Sequence, residues 1–521
     1  MLVSKKHKKI ILNLREPERV TAVIPSARTM EYKGTTLVAV PHRLDEVRVL
    51  RNLGIEAPAP MSYYYDWPGL YTPYAHQRVT AEFLTTNPRA FCLNGMGSGK
   101  TVSVLWAFDY LRKSGHAKRM LVIGPLSTLE RAWGDEIYRH FPDMTFAVLH
   151  GTRERRHKLL AQDFDVYIIN HDGIKSADTL ELLATREGLD VIVPDEVAEF
   201  RNTSTERWKA LNRLVNGDAK RGWQPKKWCW GLTGTPIPNA PTDSYAQVRI
   251  VNPGRVGRSY IAFRESVMRQ VTKFKWAPRD GALDIVRDAM QPAVRFSRED
   301  CIDLPPTTYA TRHAPLTAEQ QRAFNEMLKK LRTEYDGGSI SAVNEAVKLS
   351  KLLQICSGVA YGNDGEVVIP AGPRMELVKE IIDEAEAKVI VFVPFTAALN
   401  SLAEWLNQYY TTAVVYGDVS KNERDRIFRS FQNEKDPHVL IADARTMSHG
   451  LTLTAANTTI WYGPTHNNSV YMQANERTPR PGQKLQTLIV HIEGGQVERQ
   501  VYDRLQGKKT TQGILLDLLK G

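Results

Sequence analysis

A chain of 521 residues has room for about three domains, and with 42% hydrophobic and 24% charged residues it has the make-up of a globular protein, which excludes disordered and fibrous classes. A formal net charge of +11 favours polyanionic partners, nucleic acid foremost. No apolar run approaches the roughly 18 residues of a membrane span, and the four cysteines (Cys92, Cys229, Cys301, Cys356) stand far apart with no CxxC pair, so the expectation is an intracellular protein with no membrane contact and no structural zinc.

In chain order, residues 1–70 read as a small α+β accessory module. Runs at 10–14, 20–24 and 36–40 predict strands, and 45–53 predicts a helix closed by Gly54, before a Pro-rich joint, APAPMSYYYDWPG, at 57–69. Lys5, Lys6, Lys8 and Lys9 precede an apolar stretch too short for a signal sequence. Their preferred reading is a solvated basic end, with phosphate contact the alternative. Residues 71–298 alternate apolar runs with helical stretches, the mark of a parallel sheet with crossover helices. Its strands are predicted at 90–93, 120–123, 145–149, 166–169, 191–193 and 227–232. Residues 299–373 read as a linker and helical segment, opened by DLPPTTY, where two prolines break any helix. Residues 374–521 repeat the α/β pattern, with strands at 388–392, 412–416, 438–441, 459–461 and 485–491. The fold class is therefore α/β, with two parallel-sheet lobes and a small N-terminal module.

Most first-lobe strands run into polar or glycine-rich clusters, and in parallel sheets ligands collect at the carboxyl ends of the strands. Residues 94–101, NGMGSGKT, lie between a predicted strand and a helical stretch, as a phosphate-holding loop requires. Gly95, Gly97 and Gly99 let backbone N–H groups converge on an anion at a helix N-terminus, and Ser98 belongs to the same loop. Lys100 reaches the terminal phosphates and the Thr101 hydroxyl binds Mg²⁺. Asn94 stands where the general pattern has its first glycine. The strand at 191–193 runs into Pro194-Asp195-Glu196. Here Asp195 would hold Mg²⁺ through its water shell and Glu196 would orient or deprotonate the attacking water. In GLTGTPIPN, residues 231–239, the Thr233 and Thr235 hydroxyls are placed to bond the acid pair. In QANERTPRPGQ, residues 473–483, Arg477 and Arg480 stand three apart, on one face if helical, although Pro479 predicts a helix end. Such guanidinium groups suit the charge that develops on a transferred phosphoryl group.

These segments, together with LVIGPLSTLERAW, DEVAEFRN and HGLTLTAAN, resemble the helicase motifs of superfamily 2 in order and spacing, and among them most closely the Swi/Snf-like ATPase family. The resemblance covers about residues 71–491. It implies two RecA-like lobes with ATP and Mg²⁺ between them, Gln77 reading adenine, and Gly450 coupling nucleotide to a nucleic-acid track. It further implies that Pro125, Ser127, Asn170, His171, Thr396, Thr452 and Thr454 face the nucleic-acid backbone. Two positions depart from the pattern: Ala198 replaces the last histidine of DEAH, and Asn94-Gly95 replace an acidic pair. Little room remains for the helical insertions of nucleosome remodellers, so a lean DNA translocase or helicase is implied, serving replication, recombination or repair. Its partner is double-stranded DNA, with single-stranded DNA second. A protein partner is assigned to the N-terminal module, and the chain is expected to be a monomer in bacterial or phage-infected host cytoplasm, or in the nucleus if eukaryotic. An RNA helicase and a non-hydrolysing DNA-binding scaffold remain the alternatives. Two basic stretches could widen the footprint: RERRHK at 153–158, where a solvated helix face is equally good, and 219–230, where a purely structural reading is preferred because Trp228 and Trp230 alternate in a strand and only Trp223 is left in a loop.

Overall fold

A computed structural model describes residues 1–125, 129–271, 276–297, 301, 305–336, 350–362, 365–447, 452–465, 467–480 and 482–518. The chain forms two compact units, Met1–Cys301 and Ile302–Ile514.

The first unit begins with an antiparallel sheet of β1 (Leu2–Ser4), β2 (Lys9–Asn13), β3 (Arg28–Tyr32) and β4 (Thr35–Pro41) in the order β1-β2-β4-β3. Ile10, Leu12, Val38 and Val40 alternate onto one face and bury against Val47 and Leu50 of the helix Leu44–Asn52. The helix stops at Gly54, whose φ of +80° turns the chain back on itself. The strand expected at 20–24 is a short helix instead, Glu18–Thr21, entered through Pro17. Val20 and Ile24 are four residues apart, which is helical spacing, and both bury on the same side of the module. The module is bound into the rest of the unit. Leu44 and Met61 join a core with Leu84, Trp106 and Trp228, and Arg51 donates to the Thr86 hydroxyl at 2.7 Å.

The body of this unit is a wholly parallel seven-stranded sheet. Its strands are β5 (Arg89–Cys92), β6 (Arg119–Gly124), β7 (Phe146–Val148), β8 (Val166–Asn170), β9 (Leu189–Pro194), β10 (Trp228–Leu232) and β13 (Ala293–Val294), in the order β13-β5-β10-β9-β6-β8-β7. A hairpin of β11 (Met268–Gln270) and β12 (Trp276–Pro278) leaves the chain before β13. Helices cover both faces, so strands such as Met120-Leu121-Val122-Ile123 bury every side chain rather than alternating. Trp228 and Trp230 share one face of β10 and are buried. Trp223, the one tryptophan of this stretch left in a loop, is buried too, among Leu214, Val215 and their neighbours. Its loop doubles back through a bridge between Asp218 and Trp223, which drives the indole inward.

The second unit is built on a parallel six-stranded sheet of β14 (Thr307–His313), β17 (Lys388–Phe392), β18 (Thr412–Val415), β19 (Val439–Ala442), β20 (Ala456–Trp461) and β21 (Thr487–Glu493), in the order β14-β21-β20-β17-β19-β18. A separate hairpin joins β15 (Val359–Gly362) and β16 (Gly365–Val368). The sheet therefore begins inside the segment read as a linker. Thr307–His313 alternates poorly because it is an edge strand, mostly exposed, that pairs with β21 along its whole length. Prolines 305 and 306 stand just outside the ladder, where a missing N–H costs nothing. Behind the sheet, Arg374 and Glu498 form a buried bidentate ion pair at 2.6 and 2.9 Å, which joins the helix Gly372–Glu384 to the helix Gln496–Leu518. Each lobe is thus a parallel α/β sheet of RecA-like type.

Candidate nucleotide site and nucleic-acid face

The strand order brings the first-lobe motifs together. β5, β10, β9 and β6 are successive neighbours pointing the same way, so the loops that follow them open side by side at one sheet edge. After β5, Gly97 and Gly99 both take φ of +77°, a conformation that a Cβ strains. Gly99 is also the N-cap of the helix Lys100–Lys113, and no side chain caps it. The first amides of a 14-residue helix are therefore presented to the loop, where their dipoles favour an anion. The Lys100 ammonium lies on the loop itself, donating to the Asn94 carbonyl at 3.0 Å and the Gly95 carbonyl at 3.1 Å. The Ser98 hydroxyl donates to the Gly95 carbonyl at 2.8 Å, and the Thr101 side chain is partly exposed one residue into the helix.

Asn94, the departure from the general pattern, is a buried tie. Its amide donates to the Thr80 hydroxyl at 2.8 Å and its carbonyl accepts the Phe296 N–H at 2.9 Å. The loop is thereby held to the helix Ala75–Thr86 on one side and to the strand exit beyond β13 on the other. Gln77 lies on that helix against the loop, its carbonyl accepting the Tyr74 N–H at 3.0 Å and its amide 3.4 Å from the Ser98 carbonyl. A Cβ on Gly99 would stand 2.2 Å from the Gln77 Nε2, so any side chain there must displace the Gln77 amide. His76 bonds the same Ser98 carbonyl at 2.9 Å, a contact that no sequence pattern marked.

The acids leave β9 together. Asp195 still bridges to Leu232 of β10 and donates its N–H to Ile123 of β6 at 2.8 Å, while Glu196 turns into the left-handed region with φ of +53°. That turn separates the two carboxylates. Asp195 Oδ1 accepts the Glu196 N–H at 3.1 Å, Asp195 Oδ2 accepts the Trp133 indole N–H at 3.0 Å, and Glu196 Oε2 accepts the Thr233 hydroxyl at 3.2 Å. Thr235 does not join the acids; its N–H donates to the Thr233 hydroxyl at 3.1 Å. Gly234 packs close to the phosphate loop, where an added Cβ would meet Met96 and the Asn94 carbonyl at 3.4–3.5 Å. Pro194 fits at the end of β9 because the next ladder donor is Asp195. Ala198 is buried in the single turn Val197–Phe200. Among the described residues no group of three or more His, Cys, Asp or Glu side chains could hold a metal ion.

Residues assigned to the nucleic-acid face separate into groups. His171 is turned inward. Its ring bonds the Asp195 carbonyl at 2.8 Å and packs edge-on against Phe200, and burial pushes its pKa down. The reason is geometric, since β8 ends beside β6 and the next side chain falls under the acid loop. Asn170 ends β8 and is partly exposed. Pro125 follows β6 directly and is likewise partly exposed. Ser127 and Gly450 lie outside the described residues.

In the second lobe Thr396 opens the helix Thr396–Leu406 beside a cavity of about 280 Å³, at the carboxyl ends of β17, β19 and β20, lined by Pro394, Phe395, Asp443, Arg445 and Thr465. Thr452 is exposed and accepts from Arg480 at 3.3 Å, while Thr454 takes a bond from Gln432 at 3.1 Å. Arg477 and Arg480 do not share a helix face. The helix Asn468–Asn475 ends first, and Pro479 sits in the bend between them. Arg477 is buried; Arg480 is partly exposed, its Nε on the Glu476 carbonyl at 2.8 Å. Gln483 closes the motif with a buried amide that donates to Thr454, Ala456 and Thr478 carbonyls and accepts from Lys484 and Leu485. It is a framework residue, holding the arginine loop to the loop before β20.

None of the described helices is long and apolar enough to cross a membrane. Residues 79–358 match the SNF2-related domain and residues 373–482 the helicase conserved C-terminal domain. The chain is 28% identical over 450 residues to a Bacillus subtilis protein named as an ATP-dependent helicase/translocase, YwqA, covering 82% of this chain and 46% of that protein. It is 24% identical over 474 residues to protein p41 of Acyrthosiphon pisum secondary endosymbiont phage 1, covering 86% of this chain and 99% of that one. The chain thus spans less than half the length of the Bacillus relative and nearly all of the phage one. A solved Sulfolobus solfataricus SWI2/SNF2 ATPase core in complex with dsDNA aligns at TM-score 0.42 and 23% identity, over 87% of this chain and 95% of that one. With the SNF2-related domain spanning more than half of it and a helicase C-terminal domain behind, the chain belongs to the SNF2-related family of helicase-type ATPases.

Proposed function

We propose that the protein is a DNA-stimulated ATPase that tracks along duplex DNA, with a place in replication, recombination or repair. The observation that carries this reading is the bonded series Trp133, Asp195, Glu196, Thr233, set beside the phosphate loop on neighbouring strand ends. In it the two acids are oriented by different donors, as two different tasks require. Asp195 and Thr101 are the residues that would hold Mg²⁺, which keeps most of its ligands as water and phosphate oxygen and so needs few from protein. The ion supplies neutralisation of phosphate charge when bound. Lys100 and the helix amides stabilise the terminal phosphate. Glu196 orients the attacking water and takes its proton as the new P–O bond forms and the bond to the leaving diphosphate breaks. We assign to Arg477 and Arg480 the charge that develops in that step. Gln77 is assigned to the base, and Thr396, Thr452, Asn170 and Pro125 to the nucleic-acid backbone.

The test is ATP turnover of wild type, Lys100→Ala and Glu196→Gln with no nucleic acid, duplex DNA, single-stranded DNA and RNA. Stimulation by duplex DNA that vanishes in both variants is expected, with DNA affinity kept in Glu196→Gln. Stimulation by RNA alone would make the protein an RNA helicase, and nucleotide binding without turnover in any condition would make it a scaffold.

A further inference from the structure

The four lysines of residues 5–9 are exposed, as a solvated basic end requires, but they stand on folded backbone. Lys5, Lys6 and Lys8 sit on the tight turn between β1 and β2 and Lys9 opens β2; Lys8 takes φ of +49° and its carbonyl accepts the His42 N–H at 2.8 Å. The turn rests on the joint that leads into the first lobe. The Lys5 ammonium lies 5.4 Å from the centre of the Tyr63 ring and that of Lys8 5.4 Å from the centre of the Tyr64 ring. Behind the rings His42 packs edge-on against both, shares a hydrogen bond with the Tyr64 hydroxyl at 3.0 Å, and bonds the Pro58 carbonyl at 2.9 Å. Lys6 and Lys9 are exposed beside them. The sheet register carries exposed Arg28 to the same end, opposite Ala39 and two residues from Pro41, which pairs with Lys9. Three of the module's acids are occupied elsewhere: Asp45 faces Arg48 and His116, Glu46 accepts from Ser26, and Glu31 from Thr36. Among the described residues no ion pair joins these lysines to a carboxylate.

We infer that this turn is a second duplex-DNA contact, engaging backbone phosphates through Lys5, Lys6, Lys8 and Lys9 apart from the track at the strand ends. Ring faces and the bonded turn restrict the ammonium groups in advance, so less side-chain freedom is lost when an anion arrives. A duplex carries about one charge per 1.7 Å of axis, a density that can answer four cations within five residues at once. A folded protein partner is a poorer match, because interface energy concentrates in buried apolar and aromatic anchors, and the tyrosine faces here already carry lysines. Since the module shares a core with the first lobe, the contact travels with that lobe and holds DNA without entering the hydrolytic site. The inference rests on the proposed DNA-tracking function.

The experiment uses the full chain and a quadruple variant, K5A/K6A/K8A/K9A, with Lys5→Glu/Lys8→Glu as a second, and titrates a short duplex across a salt series. Each phosphate contact contributes about 0.9 to the slope of log affinity against log salt. The expected result is a slope lower by about two to three and a duplex affinity at least ~10-fold weaker at low salt, with melting temperature and DNA-free ATP turnover unchanged. Equal affinity and slope in wild type and variants would overturn the inference while leaving duplex-stimulated turnover of the wild type, and hence the proposed function, intact. Lack of any wild-type stimulation by nucleic acid would remove both. Loss of binding to phosphatidylserine vesicles, or to a captured protein, with duplex affinity unchanged would also overturn it.

Discussion

The Trp133 indole N–H donates to Asp195 Oδ2 at 3.0 Å, from a fully buried ring on the segment that follows β6. The partner of a carboxylate assigned to a metal ion fixes which lone pairs face the ion, and removing such partners typically costs 10–100-fold in metal affinity. Trp133→Phe keeps most of the apolar packing and loses the donor. The expected outcome is a rise of about 10-fold in the Mg²⁺ concentration that half-saturates binding of a fluorescent ATP analogue, with little change in binding measured in EDTA. A superimposable Mg²⁺ titration would show that the indole is packing only.

Gly99→Ala and Gly97→Ala separate clash from strain. Both glycines have φ of +77°, which costs an alanine on the order of 1 kcal/mol. Only at Gly99 does the new methyl meet an obstacle, Gln77 Nε2 at 2.2 Å. Nucleotide affinity should fall in both and distinctly further in Gly99→Ala. Gln77→Ala in that background should recover part of the difference. Equal losses in the two single variants would contradict the placement of Gln77 over the loop.

Asn94→Gly restores the residue usual at the start of a phosphate loop, yet it should weaken the protein. The change removes the acceptor of the buried Phe296 N–H, a polar group costing about 1–3 kcal/mol when unpaired, and one of two partners of the Thr80 hydroxyl, which still donates to the His76 carbonyl at 2.7 Å, and it adds backbone freedom. Thermal unfolding followed by tryptophan fluorescence should show a clear fall in midpoint. An unchanged midpoint would mean that solvent satisfies the Phe296 N–H.

His491 makes the second lobe sensitive to acid. Burial pushes its pKa down to about 4, while it shares a hydrogen bond of 3.0 Å with Tyr471 and stacks on Tyr502. Above the unfolded value of 6.5 both states are neutral and the group has no effect. As pH falls from 6.5 toward 4, only the unfolded chain takes up the proton, and stability drops by up to about 3 kcal/mol. His491→Gln should therefore lose less stability than wild type between pH 7 and pH 5, whatever its stability at pH 7. Parallel pH profiles for the two proteins would exclude the histidine as the source.

Where local pattern and chemistry agree, the residues alone were enough. Apolar runs bounded by glycine and acid clusters located the strands of both parallel sheets, β13 and β14 excepted, to within a few residues, since strands buried on both faces must be apolar throughout. The phosphate loop, the acid pair and the threonine after β10 were legible because each needs particular residue types at short spacing. The helix at Glu18–Thr21 was missed because two β-branched residues, Val20 and Ile24, mask a spacing of four. The strand Thr307–His313 was missed because an edge strand owes its existence to β21, some 180 residues away, and not to its own alternation.

The sequence by itself determined the family to which the chain belongs and which residues make up the candidate nucleotide site. Tertiary structure alone decided which groups hold that composition in place: Trp133 on Asp195, Asn94 between Thr80 and Phe296, His171 inward under the acid loop, and the lysine turn seated on Tyr63 and Tyr64. The reason is that spacing along a chain encodes only short-range geometry. A hydrogen bond between residues 62 or 202 positions apart depends on which strands lie side by side, and that order is set by burial of the whole sheet at once.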